Sequence, residues 1–230
     1  MKLHGLQKMT LLDFPGCVAC TVFLGGCDFR CPFCHNFELI DGTAQPVMTD
    51  GDLIAFLEKK RGLIDGVAIT GGEPCLHPDL PQLIERIHNA GFRVKLDTNG
   101  YHPEMLKRIL EQGIVEYVAM DIKNSPEKYA LTCGVDEIDM ALIAESRDLL
   151  MNGNIDYEFR TTVIRELHEK EDFEKIGEFI KGAKRYFLQR FTDRDSVPYG
   201  NLTAPTFDEM YEFAEIARKF VPDTKLRGVE

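Results

Sequence analysis

The chain has 230 residues, 44% of them apolar, enough to bury a core in one domain or in one large plus one small. Lys and Arg number 27 against 38 Asp and Glu, a net charge of −11, so the surface repels polyanions and argues against sequence-independent binding to nucleic acid or to an anionic membrane. The N-terminal stretch MKLHGLQKMTLLDFPG has no continuous apolar segment of the signal-peptide kind, and no apolar run approaches a membrane span. The expectation is a cytoplasmic protein. The seven cysteines form no even framework and are expected as ligands or buried thiols rather than disulfides.

Six strand-like runs follow in chain order, at 17–24, 66–70, 92–97, 117–122, 156–164 and 185–191. Their Val, Ile, Phe and Tyr content favours strand, although the alternation is imperfect. Helical patterns lie between and after them. TDGDLIAFLEKK opens with a cap at Thr49, PDLPQLIERIHNAG ends at Gly91, and PEMLKRILEQG ends at Gly113. EIDMALIAESRDLLMNG, EDFEKIGEFIKG and TFDEMYEFAEIARKF complete the series. Six successive strand–helix units imply parallel pairing through right-handed crossovers. They suit a doubly wound sheet or a barrel, and being fewer than the eight units of a closed barrel they leave one side open. No linker or change of composition divides the chain. The reading is one α/β domain over residues 1–230, with a cysteine loop at 25–36 and a C-terminal helix and tail from about 206 to 230.

The unusual polar residues favour an incomplete (β/α)6 barrel. Cysteines follow the first strand, GGEP (71–74) the second, and LDTNG (96–100) closes the third. MDIKN (120–124) ends the fourth, the fifth contains Arg160, and the sixth ends near Gln189 and Arg190. In parallel α/β folds these strand ends share one face, where ligand sites are built. Six separate positions therefore converge on one mouth.

FLGGCDFRCPFCHNF gathers Cys27, Cys31 and Cys34 within one short loop. Zinc bound by Cys₃His would require ligation from the adjacent Cys34 and His35, against the usual spacing of paired ligands, and no second Cys/His pair follows at finger-like spacing. An ordinary ferredoxin cluster takes four thiolates. Three on a cubane leave one iron open to a ligand from outside the protein. Cys17 and Cys20 form a CxxC inside a strand, where i and i+3 side chains point to opposite faces, so they read as core. Cys75 and Cys133 read as incidental, and His4, His77, His88, His102 and His168 as surface or capping residues.

CDFRCPFC has the C-x3-C-x2-C spacing of the radical SAM superfamily, and GGEP resembles its second signature. With LLDFPG, LDTNG and MDIK, the chain resembles the activating enzymes of glycyl radical enzymes. It looks most like the anaerobic ribonucleoside-triphosphate reductase activating proteins and next like pyruvate formate-lyase activating enzyme. The resemblance implies one 4Fe–4S cluster on Cys27, Cys31 and Cys34, with S-adenosylmethionine chelating the open iron. It implies Phe33 and His35 along the nucleoside, Gly71, Gly72 and Glu73 at the methionyl part, and Lys123 and Arg160 reaching the bound nucleoside or carboxylate. Asp97, Thr98 and Asp121 match positions that hold a monovalent cation in pyruvate formate-lyase activating enzyme. No catalytic side chain beyond the cluster and this cofactor site is implied.

Two departures stand out. The histidine that follows the sixth strand in pyruvate formate-lyase activating enzyme has its nearest equivalent around Arg190 or Phe191. Its DGPG becomes LDFPG here, with Asp13 one residue further from the turn. The implied reaction is reductive cleavage of S-adenosylmethionine and abstraction of a Cα hydrogen from a glycine of a separate glycyl radical enzyme, first an anaerobic ribonucleotide reductase. A flavodoxin- or ferredoxin-like donor would supply the electron. Activation of another such enzyme, for example pyruvate formate-lyase, radical chemistry on a small metabolite, and a zinc-holding module remain as alternatives.

Overall fold

The computed structural model describes residues 1–229. Its strands are β1 (Lys2–Leu3), β2 (Gly5–Thr10), β3 (Ala19–Leu24), β4 (Met48–Thr49), β5 (Gly66–Gly71), β6 (Arg93–Thr98), β7 (Tyr117–Asp121), β8 (Asp156–Val163), β9 (Tyr186–Arg190) and β10 (Thr224–Arg227). Its helices are α1 (Phe37–Ile40), α2 (Asp50–Lys59), α3 (Leu80–Asn89), α4 (Pro103–Glu111), α5 (Tyr129–Cys133), α6 (Met140–Asn152), α7 (Lys170–Phe179) and α8 (Phe207–Arg218).

The main sheet runs β10-β9-β8-β7-β6-β5-β3-β2, parallel throughout except where β2 lies antiparallel to β3. All six strands expected from the sequence are present, in consecutive order. Two edge strands are added to them. β2 folds back on β3, and β10 pairs parallel with β9 inside the stretch read from sequence as helix and tail. Among the described residues no ladder joins β2 to β10, so the barrel is incomplete and open between these two edges. β1 and β4 form a separate small antiparallel pair.

The helices form where their end signals say they should. Thr49 Oγ1 accepts the Asp52 N–H at 3.2 Å while an Asp52 carboxylate oxygen accepts the Thr49 N–H at 2.9 Å, a reciprocal cap that starts α2. Thr206 and Glu209 repeat it at the start of α8. Along β5, β6 and β7 the residues Val67, Ile69, Val94, Leu96, Val118 and Met120 point outward, into one core with Leu53, Leu57, Leu83, Ile84, Ile87, Leu106 and Ile109 of the helices. Each such side chain, fully buried, contributes about 1.5–3 kcal/mol.

The opposite, inner face differs. Phe14, Cys17, Ala19, Tyr117 and Ala119 form a small apolar cluster there. The same face carries Lys95, Asp97 and Glu158 level with Tyr117 and Ala119, and Asp121 and Arg160 beyond them towards the C-terminal strand ends. Cys17 and Cys20 belong to the two different clusters, although Cys17 lies in the bend just before β3 rather than on the strand expected from the sequence.

Candidate functional site

At the C-terminal ends of the parallel strands lies a cavity of about 280 Å³. Its wall includes Cys27, Cys31, Phe33, Cys34 and His35 from the loop after β3, Gly71 at the end of β5, Gly72 and Glu73 just after it, and Asp97 and Thr98 from β6. Asp121 and Lys123 from the end of β7 and Arg160 from β8 complete the set singled out in the sequence. The fold brings all of these residues together. It adds residues that the motifs did not assign, among them Asn36, Thr70, Asn99, Thr162 and Gln189. Asn36 and Asn99 sit inside the CHN and DTNG motifs, which was the available signal. Thr70 directly precedes the paired glycines of ITGGEP, and Thr162 carried no signal.

The cysteine loop is clamped on several sides. Gly26 N–H donates to Leu39 O at 2.8 Å, Glu73 N–H to Gly26 O at 2.8 Å, and Arg30 N–H to Cys133 O at 2.8 Å. His77 Nε2 donates to Gly25 O at 2.7 Å, and His102 Nε2 meets Asp28 Oδ2 at 2.6 Å. These two histidines, read from sequence as surface or capping, therefore fasten the loop. His168 is buried and bonded to the Lys123 carbonyl at 2.9 Å, so it is a core histidine. Gly72 shows why the paired glycines are there: a Cβ at this position would lie 1.9 Å from Gly26 O. The expected clearance for a ligand is thus preceded by a need for backbone-to-backbone approach.

The thiols sit in a partly dehydrated pocket. Burial pushes the Cys27 thiol up to about 12 and raises that of Cys34. A hydrogen bond with the Cys133 thiol lowers Cys31, while burial first and this contact second raise Cys133. Cys27 Sγ also accepts the Phe29 N–H at 3.4 Å and lies 3.8 Å from Asn99 Nδ2. Thiolates here need a cation to offset their burial, and binding one releases protons. Among the described residues no three His, Cys, Asp or Glu side chains converge as a single ion requires. Ligands of a cluster bind different irons and so stand apart. The donor set, three thiols on one clamped loop with N–H groups aimed at one sulfur, fits a cluster.

Glu73 is 1% exposed. One carboxylate oxygen accepts Cys75 N–H at 2.9 Å and Thr98 Oγ1–H at 2.8 Å, and the other accepts Asn99 N–H at 2.6 Å. Burial still raises its carboxyl above the ordinary range. A carboxylate has about four acceptor positions, so one remains for a ligand.

Across the cavity runs a charged strip. Arg160 Nε donates to Asp121 at 2.9 Å and Nη1 to Asp97 at 3.2 Å, Lys123 holds Asp121 at 3.0 Å, and Lys95 pairs with Asp97. Burial opposes ionisation of Asp121, but Arg160 and Lys123 outweigh it and bring the carboxyl to about 2. Asp97 is likewise lowered, against burial, by Arg160 and Lys95. Three cations face two carboxylates. The strip suits an anionic ligand group and does not fit an added monovalent cation.

On the β9 side, His35 stacks on Phe191 with ring centroids 5.6 Å apart and donates through Nε2 to Thr192 O at 2.6 Å. Arg190 turns away, donating to Pro205 O at 2.7 Å. Of the two positions expected on this side, Phe191 is the one that packs on a residue of the cavity wall, His35. A second cavity, about 580 Å³, opens between the two sheet edges and is rimmed by Leu12, Asp13 and Pro15 on one side and Leu226, Arg227 and Gly228 on the other. Asp97, Arg160 and Gln189 line both cavities.

The family description "Radical SAM superfamily" matches residues 21–214. A Methanocaldococcus jannaschii protein provisionally named a glycyl-radical enzyme activating enzyme is 30% identical over 99% of this chain and 96% of its own. A pyruvate formate-lyase-activating enzyme of Clostridium pasteurianum is 30% identical over 54% of this chain and 52% of its own. Among solved structures, Streptococcus suis SuiB bound to S-adenosylmethionine superposes with a TM-score of 0.68 at 12% identity, over 90% of this chain and 52% of that one, a likeness of fold alone. Family, fold and the three-thiol loop agree: the chain is an enzyme of the radical SAM superfamily, and that membership implies a 4Fe–4S cluster and S-adenosylmethionine.

Proposed function

We propose that the chain is a single-domain cytoplasmic activase that uses S-adenosylmethionine to set a glycyl radical on a partner enzyme, an anaerobic ribonucleoside-triphosphate reductase. The observation that carries this reading is that the two cavities share Asp97, Arg160 and Gln189 as a common wall. The three thiols and the cationic strip face each other across the first. The second opens sideways onto the same Asp97 and Arg160, so a glycine-bearing segment of a partner can approach beside the cofactor.

When bound, the cluster and S-adenosylmethionine supply reductive cleavage of the sulfonium carbon–sulfur bond and a radical able to take a Cα hydrogen. Cys27, Cys31 and Cys34 hold the cluster. Lys123 and Arg160 meet the carboxylate of S-adenosylmethionine with charge-assisted hydrogen bonds, and Glu73 accepts from its ammonium group. Phe33 and His35 flank the nucleoside, with His35 fixed by Phe191 and Thr192. Gly71 and Gly72 keep the turn after β5 low. The reducing cytoplasm maintains the free thiols, and a flavodoxin- or ferredoxin-like protein delivers the electron.

The test is anaerobic reconstitution with iron and sulfide, reduction with S-adenosylmethionine present, and incubation with candidate partners from the same organism. A glycyl radical on the reductase by electron paramagnetic resonance is the expected result. A signal on pyruvate formate-lyase alone reassigns the partner. Turnover of a small metabolite, with no radical on any partner, overturns the activase reading.

A further inference from the structure

Each of the four carboxylate oxygens of Asp97 and Asp121 is taken by a cationic side chain. Lys95 Nζ holds Asp97 Oδ1, and Arg160 Nη1 reaches Asp97 Oδ2 at 3.2 Å. Arg160 Nε reaches Asp121 Oδ1 at 2.9 Å, and Lys123 Nζ reaches Asp121 Oδ2 at 3.0 Å. The Thr98 hydroxyl is also committed, donating to Glu73 at 2.8 Å and accepting from Gly100 N–H at 3.1 Å. An alkali ion bound by Asp97, Thr98 and Asp121 would have to compete for these oxygens. It would also add charge where, within the strip, three cations already face two carboxylates; Glu73, a third carboxylate on the cavity wall, is taken up by Cys75 N–H, Thr98 and Asn99 N–H. The neighbouring Glu158–Arg227 pair, at 2.8 Å, is neutral as a unit and leaves that balance unchanged.

Lys95 stands out in this arrangement. It lies two residues before Asp97 on the same face of β6, its side chain is 3% exposed, and it lines the lateral cavity but not the one carrying the thiols. An ammonium buried this deeply requires an anionic partner, and Asp97 is that partner. It neutralises Asp97 from the side away from the thiols. Arg160 and Lys123 then keep a surplus of positive charge toward the cavity.

We propose that the Lys95 ammonium replaces the monovalent cation that the likeness to pyruvate formate-lyase activating enzyme implies at Asp97, Thr98 and Asp121. Lys95 is thus a positioning residue. Through Asp97 it sets Arg160 and Lys123 to receive the S-adenosylmethionine carboxylate, and it makes that binding independent of alkali ions. The inference rests on the reading that S-adenosylmethionine occupies this cavity.

The experiment measures S-adenosylmethionine binding to the reconstituted protein by equilibrium dialysis at fixed ionic strength, in potassium, sodium or tetramethylammonium chloride. The wild-type affinity should agree within about twofold across the three salts. Lys95→Met should bind about tenfold more weakly in tetramethylammonium and recover most of that loss in potassium or sodium, a rescue that a merely structural role would not produce. A wild-type affinity rising tenfold with potassium overturns the proposal, as does a Lys95→Met loss that no alkali ion restores.

A second readout needs neither the variant nor S-adenosylmethionine. The sodium NMR line width in the presence of wild-type protein should match that with Asp97→Asn; excess broadening in wild type that Asp97→Asn removes shows an occupied ion site and overturns the proposal. If S-adenosylmethionine binds in no salt, the proposed function fails, and the sodium measurement decides the role of Lys95 alone.

Discussion

Glu73 accepts the backbone N–H of Asn99 at 2.6 Å, and this bond fastens the turn after β5 to the turn after β6. Because the same carboxylate also holds Cys75 N–H and the Thr98 hydroxyl, two of the motifs around the cavity are one mechanical unit. The residue that sequence alone places on a ligand is first a brace for the wall that the ligand would touch.

Glu73→Gln keeps the shape but turns an NH₂ toward one of three donors. A buried donor left without an acceptor costs about 1–3 kcal/mol, which for a chain of this size lowers the melting temperature by roughly 2–4 °C per kcal/mol. S-adenosylmethionine affinity should fall in the same variant. Thermal unfolding and equilibrium dialysis read the two effects separately, and an unchanged melting temperature would contradict the bracing role.

Gly72→Ala places a Cβ 1.9 Å from Gly26 O, beside the first cysteine of the loop. The backbones must separate, at a cost of about 3 kcal/mol or more, and reconstituted iron content should drop with stability. Gly16→Ala is the control. Its φ is +71° with nothing within 4 Å of the added carbon, so it should cost about 1–2 kcal/mol through backbone strain alone and leave iron content unchanged.

Cys27→Ala, Cys31→Ala and Cys34→Ala should each abolish S-adenosylmethionine cleavage and most iron incorporation, since two thiolates do not hold a stable cubane. Cys17→Ala and Cys20→Ala, which lie in the two apolar clusters, should retain iron near the wild-type level. Iron and sulfide analysis after anaerobic reconstitution decides this, and cluster loss in Cys17→Ala equal to that in Cys31→Ala would refute the ligand assignment.

Asp121 carries a pH signature. Its carboxyl is held at about 2 in the fold, below the value of about 3.9 in an unfolded chain. The folded value is depressed, so the stabilisation is present above about pH 4 and is lost as pH falls toward 2, an effect of about 2–3 kcal/mol. Circular dichroism of acid unfolding should show this loss in the wild type and a shallower profile for Asp121→Asn. Identical profiles would mean that Asp121 does not titrate against Arg160 and Lys123.

Much of this site was legible in the sequence because its parts are local. Three cysteines in one loop, a paired-glycine turn and DTNG each sit at the end of a strand whose apolar residues identify it. Six such units in succession place those ends on one face whatever the details of packing. That is why residues as distant as Cys27 and Arg160 could be assigned to one cavity beforehand.

What the tertiary structure decided is which neighbours those residues have. β10, read as TKLR, is four residues long and half charged; nothing in it marks a strand until the edge of β9 offers hydrogen bonds. RVKLDT of β6 alternates polar and apolar residues, which identifies a half-buried strand but not where its polar face lies. Helices packed on the aliphatic side send Lys95 and Asp97 into the barrel interior, where ions shed water only against a partner. The pairing of Lys95, Asp97, Arg160 and Asp121 therefore depends on β6, β7 and β8 lying side by side in the sheet, which brings Arg160 within reach of Asp97 across β7 although the two are 63 residues apart in sequence, a relation of three-dimensional register that periodicity along one segment does not contain.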